Sequence, residues 1–481
     1  MLLVIAALAP REAPRKPAAA AARSSPVIAR APRAVAAPWS EDEARAIRSA
    51  VASALSPALD TAQTYSCVVL AQDGSTLFED RAGAAVTPAS TQKLIVADAA
   101  LTLLGAPFRF NTLLGSEQPP QAGIIAGDLW LAGSGDPSFR SSALLRGVRA
   151  LQAAGVQHID GRVVVDPSAI TGDEINPAWN ASDANEDFMA AVSGMSLDED
   201  TVEFHVTGTS AGAPAAVYVN PPSTAVRYAG NAVTGDGDDV TIAGTQTPNT
   251  FRLDGVIPPG IKETFYLPVH GIPQYAGTVL TDYLRVNGVS VAAPPATGTA
   301  PLTLQVLWNH RSDPLSTIVR HMLVFSDNHY AEQLLRTVGG VDGASPNDAD
   351  GIAAEISVLR SQHIPIPSLH VVDGSGLGET NRVAAATLAG VLAHFDADPL
   401  GNPLYLLLPR GGKDGTLRMY DFTSAAGRVR AKSGHLASTS ALAGYVQTRS
   451  HGRVVFAFLI DGNARDPDTA IVSAVDRIAA Q

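Results

Sequence analysis

A serine three residues before a lysine, in Thr87-Pro88-Ala89-Ser90-Thr91-Gln92-Lys93, is the first arrangement in this chain able to do chemistry. A hydroxyl is a weak nucleophile until a base takes its proton. Residues three apart on a helix are neighbours, so the Lys93 amine would lie within reach of the Ser90 hydroxyl. The first N–H groups of a helix have no intrahelical partner and can receive an oxyanion. For this, a lysine that ordinarily titrates near ~10.4 must lose about three units, roughly 4 kcal/mol, to act as a base near neutral pH. Lysine is scarce, found only at positions 16, 93, 262, 413 and 432, so a serine placed three residues before one is informative.

Two further stretches bear on the same chemistry. Ser326-Asp327-Asn328 precedes an amphipathic run, and Lys432-Ser433-Gly434 lies on a strand-like one. Taken singly, the first reads as a helix cap and the second as a solvated lysine. Taken in order, Ser-x-x-Lys, Ser-Asp-Asn and Lys-Ser-Gly form the motif set of penicillin-binding proteins and class A β-lactamases, with Ser in place of Thr in the last. A competing serine motif, Gly208-Thr209-Ser210-Ala211-Gly212, lacks the helix that a nucleophile elbow requires directly after it, and reads as a hairpin loop.

The elements that must position these residues follow from pattern. Leu94, Ile95, Leu101 and Leu104 recur at helical spacing and Gly105 stops them, so Ser90 is expected to open a buried helix. Before it, Ser40-Glu41-Asp42-Glu43 starts a helix expected to reach about Leu55, ahead of Pro57. Tyr65–Gln72 and Ser75–Asp80 flank Asp73-Gly74, a hairpin signal. From about 113 to 300 short strands dominate, among them 128–131, 162–165, 202–206, 216–219, 240–243 and 264–267, with one helix near 276–286. Helices return after 302, opening at Asp313-Pro314-Leu315, at Asn328 and at Ala384. Three strands (428–432, 441–447, 453–459) and a helix after Asp466-Pro467 close the chain. The simplest closure is one five-stranded antiparallel sheet built from both ends of the chain. The resulting division is a leader-like or disordered segment 1–39, a catalytic unit from 40–112 plus 301–481, and a β-rich insert, 113–300, of two subdomains.

Composition narrows the function classes. A chain of 481 residues with 46% hydrophobic and 17% charged residues is globular and long enough for more than one domain. A net charge of −12 argues against a nucleic-acid partner. One cysteine, Cys67, excludes an internal disulfide, and eleven scattered histidines show no ligand spacing, so neither metal nor cofactor is expected. Met1–Pro10 is apolar without a basic start and too short to cross a bilayer, which fits an incomplete export signal.

With the three motifs in place, the chain resembles the class C low-molecular-mass penicillin-binding proteins, the S13 peptidases, from about Thr61 to Val475. Further matching runs are Gly127-Asp128-Leu129, Gly133-Ser134-Gly135-Asp136-Pro137, Ser326 to Glu332, Asp373-Gly374-Ser375-Gly376-Leu377, Asp414-Gly415-Thr416-Leu417 and Ala426 to Lys432. The long interval between Ser90 and Ser326 suits a class with inserted domains. The resemblance implies an α+β fold of the serine β-lactamase/transpeptidase type carrying that β-rich insertion. It implies a D-alanyl-D-alanine carboxypeptidase, and also an endopeptidase, acting on peptidoglycan stem peptides outside the cytoplasm, periplasmic or extracellular, and acylated by β-lactam antibiotics. In its terms Ser90 is the nucleophile, Lys93 its base and Ser326 the proton relay. Asn328 holds the substrate amide, Lys432 and Ser433 take the terminal carboxylate, and the N–H groups of Ser90 and His435 form the oxyanion hole beside Gly434. Lys432, as a second cation, would add to burial in lowering Lys93. Histidine at 435 is a departure, since relatives usually carry threonine after this glycine; Gly133-Ser134-Gly135 also departs from an all-glycine run. A β-lactamase and a non-catalytic wall-binding protein of the same fold are the alternatives.

Overall fold

The computed structural model describes residues 37–184, 186–189, 191–341, 346–397 and 403–481. Its centre is an antiparallel five-stranded sheet in the order Val429–Leu436, Thr439–Gln447, Arg453–Asp461, Thr64–Leu70, Thr76–Asp80. The first and last parts of the chain thus share one sheet, as expected, and the fold is α+β.

Alternation along the central strands explains why this sheet is covered on both faces. Ala441, Ala443 and Tyr445, with Val455, Ala457 and Leu459, face one core, and Leu442, Val446, Val454, Phe456, Phe458 and Ile460 face the other. The second core is closed by the helices Glu41–Leu59 and Pro467–Ala479. The first is closed by the helices Lys93–Leu103, Leu315–Phe325, Asn328–Gly339 and Ala385–Asp396, so every catalytic candidate lies on this side or at its edge. Cys67 is fully buried in the second core, where burial pushes its thiol up and leaves it a packing residue.

The opening helix begins at the expected place. Ser40 and Glu43 form a reciprocal cap, with the Glu43 carboxylate 2.9 Å from the Ser40 N–H. It runs through Pro57 to Leu59 rather than stopping at Leu55. Proline removes only one late bond, Asp60 N–H still reaches the Ser56 carbonyl at 2.9 Å, and Ala58 is buried against the core. The Asp73-Gly74 hairpin forms with Gly74 at φ +85°, and the Ser75 N–H donates to the Asp73 carboxylate at 2.9 Å.

Between these parts, among the described residues, lie a second five-stranded sheet and three three-stranded sheets. The larger is ordered Ala296–Thr297, Val163–Asp166, Leu129–Ala132, Asn111–Ser116, Gln305–Arg311, and mixes parallel with antiparallel pairs. The smaller sheets are Ala216–Asn220, Thr201–Thr207, Lys262–Pro268; Arg227–Thr234, Thr250–Ile257, Thr241–Gly244; and Ser290–Val291, His158–Ile159, Ile124–Ile125. Gly208–Gly212 lies in the connection from Thr201–Thr207 to Ala216–Asn220, an antiparallel pair with no helix between them. Two helices, Ser141–Ala153 and Ile272–Val286, pack with these sheets; the first was not among the expected elements, although Leu144, Val148 and Leu151 recur at helical spacing. The region docks on the catalytic side through Asn176 to the Val372 carbonyl and Trp179 Nε1 to Asp373, both at 3.0 Å.

Candidate active site

Ser90 does not open the α-helix. It sits in a 3₁₀ turn, Ala89–Gln92, and the α-helix begins at Lys93. The difference has a consequence. In a 3₁₀ turn residues i and i+3 eclipse each other, so Ser90 and Lys93 are stacked more directly than in an α-helix. Lys93 Nζ lies 2.9 Å from Ser90 Oγ. The same ammonium nitrogen donates to Asn328 Oδ1 at 2.7 Å and to the Ser375 carbonyl at 2.9 Å. Three acceptors around one fully buried amine hold its reach and direction.

Ser326 and Asn328 come from a tight corner between two helices. Leu315–Phe325 ends with Ser326 in the left-handed region, φ +61°, and Asp327 then caps the helix Asn328–Gly339 by accepting from the Tyr330 N–H at 3.0 Å. The corner turns Ser326 toward the sheet edge and Asn328 toward Lys93. Lys432 reaches across from strand Val429–Leu436 to donate to Ser326 Oγ at 2.9 Å. Asn328 is held on both sides, since its Nδ2 donates to the Phe188 carbonyl at 3.1 Å.

The strand lies tight against the serine turn at one point. A Cβ on Gly434 would fall 2.8 Å from the Pro88 carbonyl oxygen and 3.0 Å from the backbone nitrogens of Ser90 and Thr91. Only glycine permits that approach. Beyond it, Ser433 Oγ lies 2.8 Å from Thr416 Oγ1. His435 Nε2 lies 3.0 Å from the Asp468 carboxylate and 3.3 Å from the Tyr420 hydroxyl. A cavity of about 720 Å³ opens here, lined by Ser90, Ser326, Thr416, Tyr420, Ser433 and His435 among others. The structure therefore brings all the candidate residues to one place: Ser90, Lys93, Ser326, Asn328, Lys432, Ser433, Gly434 and His435.

The two lysines are electrostatically unlike. Burial pushes Lys93 down to about 8, opposed by the carboxylates of Glu332, Asp373 and Asp327. Lys432 is held well below the ordinary lysine range by burial and then by the charge of Lys93. The expectation that Lys432 helps to depress Lys93 is thus turned round. The carboxylates stand near Lys93 and favour its charged form.

Sequence reasoning missed some residues. Thr416 lay in a noted string, Asp414 to Leu417, without a role, and neither Tyr420, Asp468 nor Glu332 was assigned one. A second cleft of about 700 Å³ borders Ser326, Asp327 and Asn328 on the insert side. Within it Glu199, His321 and Asp327 are the one group among the described residues spaced closely enough to hold a metal ion. Burial pushes His321 down, but its hydrogen bonds to Asp327 and Glu199 outweigh this and raise it to about 9, and Arg140 also pairs with Glu199. An imidazolium has no lone pair to give a metal, so this group reads as an ion-pair network tying the insert to the Ser326 corner.

Residues 47–481 match the model of the D-Ala-D-Ala carboxypeptidase 3 (S13) family. The chain belongs to that family. It is 29% identical over 440 residues to a D-alanyl-D-alanine carboxypeptidase of an Actinomadura species, covering 87% of this chain and 81% of the relative. It is 25% identical over 383 residues to D-alanyl-D-alanine carboxypeptidase DacB of Haemophilus influenzae, covering 78% and 80% of the two chains. The crystal structure of penicillin binding protein 4 from Haemophilus influenzae superposes with a TM-score of 0.77 over 89% of this chain and 97% of that one, at 22% identity. The same protein has been solved in complex with a β-lactam, and that structure matches with a TM-score of 0.71. The transpeptidase-like fold expected from the motif set is therefore the fold found.

Proposed function

We propose that this enzyme removes the terminal D-alanine from peptidoglycan stem peptides through an acyl-enzyme on Ser90. The observation that carries the reading is the pair of buried lysines, each bonded to one of two serines that face the same cavity: Lys93 to Ser90, Lys432 to Ser326. Lys93, in its neutral form, takes the Ser90 proton as Oγ attacks the carbonyl carbon of the penultimate D-alanine. The N–H groups of Ser90 and His435 face the oxyanion. As the C–N bond breaks, Ser326 passes a proton from Lys432 to the departing amine. Water then cleaves the ester and frees Ser90.

The terminal carboxylate fits beside Lys432, Ser433 and Thr416. Among the described residues the charge that acts on Lys432 is the like charge of Lys93, so the arrival of the carboxylate favours the ammonium form of Lys432. Repulsion between the two lysines then lowers Lys93 and makes it a base. Acylation in the empty enzyme by penicillin is expected to rise with pH through about 8, the value at which Lys93 loses its proton.

The cavity extends past the carboxylate position to Met419, Tyr420, Asp468 and Val472, which gives room for a leaving group larger than D-alanine and supports endopeptidase action as well. Mass spectrometry of products from monomeric and cross-linked muropeptides tests both. Loss of one D-alanine from pentapeptide monomers is the expected result; pentapeptides left whole would refute the reading. The substrate places the working enzyme outside the cytoplasm; among the described residues, no helix is long and apolar enough to cross a membrane. We also read the chain as a catalytic unit with one inserted unit, whose ends meet where Asn111–Ser116 pairs with Gln305–Arg311.

Two smaller predictions belong to this site. Gly434→Ala is expected to fold yet to acylate with penicillin at least about tenfold more slowly, because its Cβ meets backbone that holds the nucleophile in place. An acylation rate equal to the parent's would mean that strand and serine turn are not held together during catalysis. His435 faces the expected carboxylate position, with Asp468 sharing any charge it carries. KM is expected to be about threefold higher in His435→Thr than in the parent, the size of a half-exposed polar contact. Equal KM values would remove the ring from carboxylate recognition.

A further inference from the structure

Lys93 donates to the Ser375 carbonyl, which lies in a backbone turn held by two carboxylates, Asp373 through the Gly376 N–H of the carbonyl's own peptide unit and Glu332 through the two peptide units before it. The Glu332 carboxylate accepts from the Gly374 N–H with both oxygens, at 3.1 and 3.0 Å, and from the Ser375 N–H at 2.8 Å. Glu332 is 1% exposed and lies one turn along the helix from Asn328, which also bonds Lys93. One helix therefore meets Lys93 twice, directly through Asn328 and through the 374–375 backbone by Glu332.

We propose that Glu332 is a positioning residue of the reaction: its carboxylate fixes the carbonyl that receives the Lys93 amine, and its negative charge sets the pH at which that amine becomes a base. This rests on the Ser90–Lys93 reading and extends it to a residue that touches no substrate. The charged groups around it are few. Asp373 lies on the same loop, where it is occupied by the N–H groups of Gly376 and Gly378 at 2.8 and 2.6 Å, by Trp179 and by Asn381. Glu355 faces Glu332 from the helix Asp348–Ser361, and Asp348 is bonded to Arg336. Asp327 acts on Lys93 from the other side, and Lys93 in turn acts on Lys432.

Glu332 and Glu355 are equally buried and differ in what surrounds them. Among the described residues neither carboxyl oxygen of Glu355 has a hydrogen-bond partner, and burial, then Glu332 and Asp373, raise it far above the ordinary range, which favours the neutral acid. Burial and Asp373 also push Glu332 up, but both its oxygens accept N–H bonds from Gly374 and Ser375, an arrangement that suits a carboxylate and leaves neither oxygen placed to carry a proton. Of these two acids only Glu332 can therefore join Asp373 and Asp327 in holding up the charge on Lys93.

The test is the rate of acylation of the full chain by benzylpenicillin, measured from pH ~5.5 to ~9.5. Glu332→Gln is expected to move the acidic limb down by about one pH unit, since an opposing charge is lost. Glu332→Asp is expected to lower the plateau while leaving the limb in place. Glu355→Gln replaces one neutral group by another and should leave the limb where it is. A Glu332→Gln limb at the parent's pH, or an equal displacement in Glu355→Gln, would overturn the proposal. If Glu332→Gln does not fold, as judged by its melting curve, the Asp variant decides: a displaced limb would refute the role of charge. A parent protein that forms no adduct at any pH would instead overturn the Ser90 reading on which this one stands.

Discussion

Ser90→Ala is expected to fold normally, to form no penicillin adduct and to release D-alanine at least about 10⁴-fold more slowly than the parent, the scale seen when a nucleophile is removed. The substitution deletes one oxygen from a turn whose shape is fixed by other groups, such as the Thr91 hydroxyl that donates to the Pro88 carbonyl at 2.6 Å. Lys93→Arg should be nearly as inactive, by about 10³-fold, because arginine keeps the charge and cannot take a proton. It also forces a larger group into a fully buried site, at a cost of about 1–3 kcal/mol in stability. Appreciable turnover by either variant would remove Lys93 as the base of a Ser90 nucleophile.

Lys432→Met is expected to part activity from stability. Lys432 is fully buried, with Ser326 Oγ and its neighbour's carbonyl, that of Ser433 at 2.6 Å, as its hydrogen-bond partners. Methionine fills a similar volume without the cost of burying an amine, so the melting temperature should hold or rise. Turnover should fall about 10²–10³-fold, the loss typical when a preorganised electrostatic donor is removed. Ser326 would lose its proton source and the substrate carboxylate its cation. A Met variant within about tenfold of the parent's activity would assign carboxylate binding and proton relay to other groups, with Thr416 and Ser433 the first to examine.

The fold was legible in the sequence where one pattern served one element. The Asp73-Gly74 hairpin, the three closing strands and the cap at Ser40 are local features, and the near-continuous apolar runs in the strands 439–447 and 453–461 suit burial on both faces. Local signals failed where tertiary contacts decided. Pro57 stays within its helix because Ala58 is buried beyond it. Ser90 takes a 3₁₀ turn that lies tight against strand residue Gly434, more than three hundred positions away. The site residues were found because their motifs are local strings. Glu332 was inside such a string, Ser326 to Glu332, but its work depends on the backbone of Gly374 and Ser375, which no spacing reveals. The same holds for Asp468, which meets His435 only because the last helix packs beside the strand end.

Peptide-level mass spectrometry of the full chain, acid-quenched during turnover of a stem pentapeptide ending in D-Ala-D-Ala and separately after reaction with penicillin, tests the Ser90 acyl-enzyme most directly. Both reagents are expected to leave their acyl group on the same peptide, the one containing Ser90, with D-alanine appearing in step with the pentapeptide adduct. D-alanine release with no acyl group on Ser90, or an adduct on Ser326 or Ser210 instead, would contradict the mechanism.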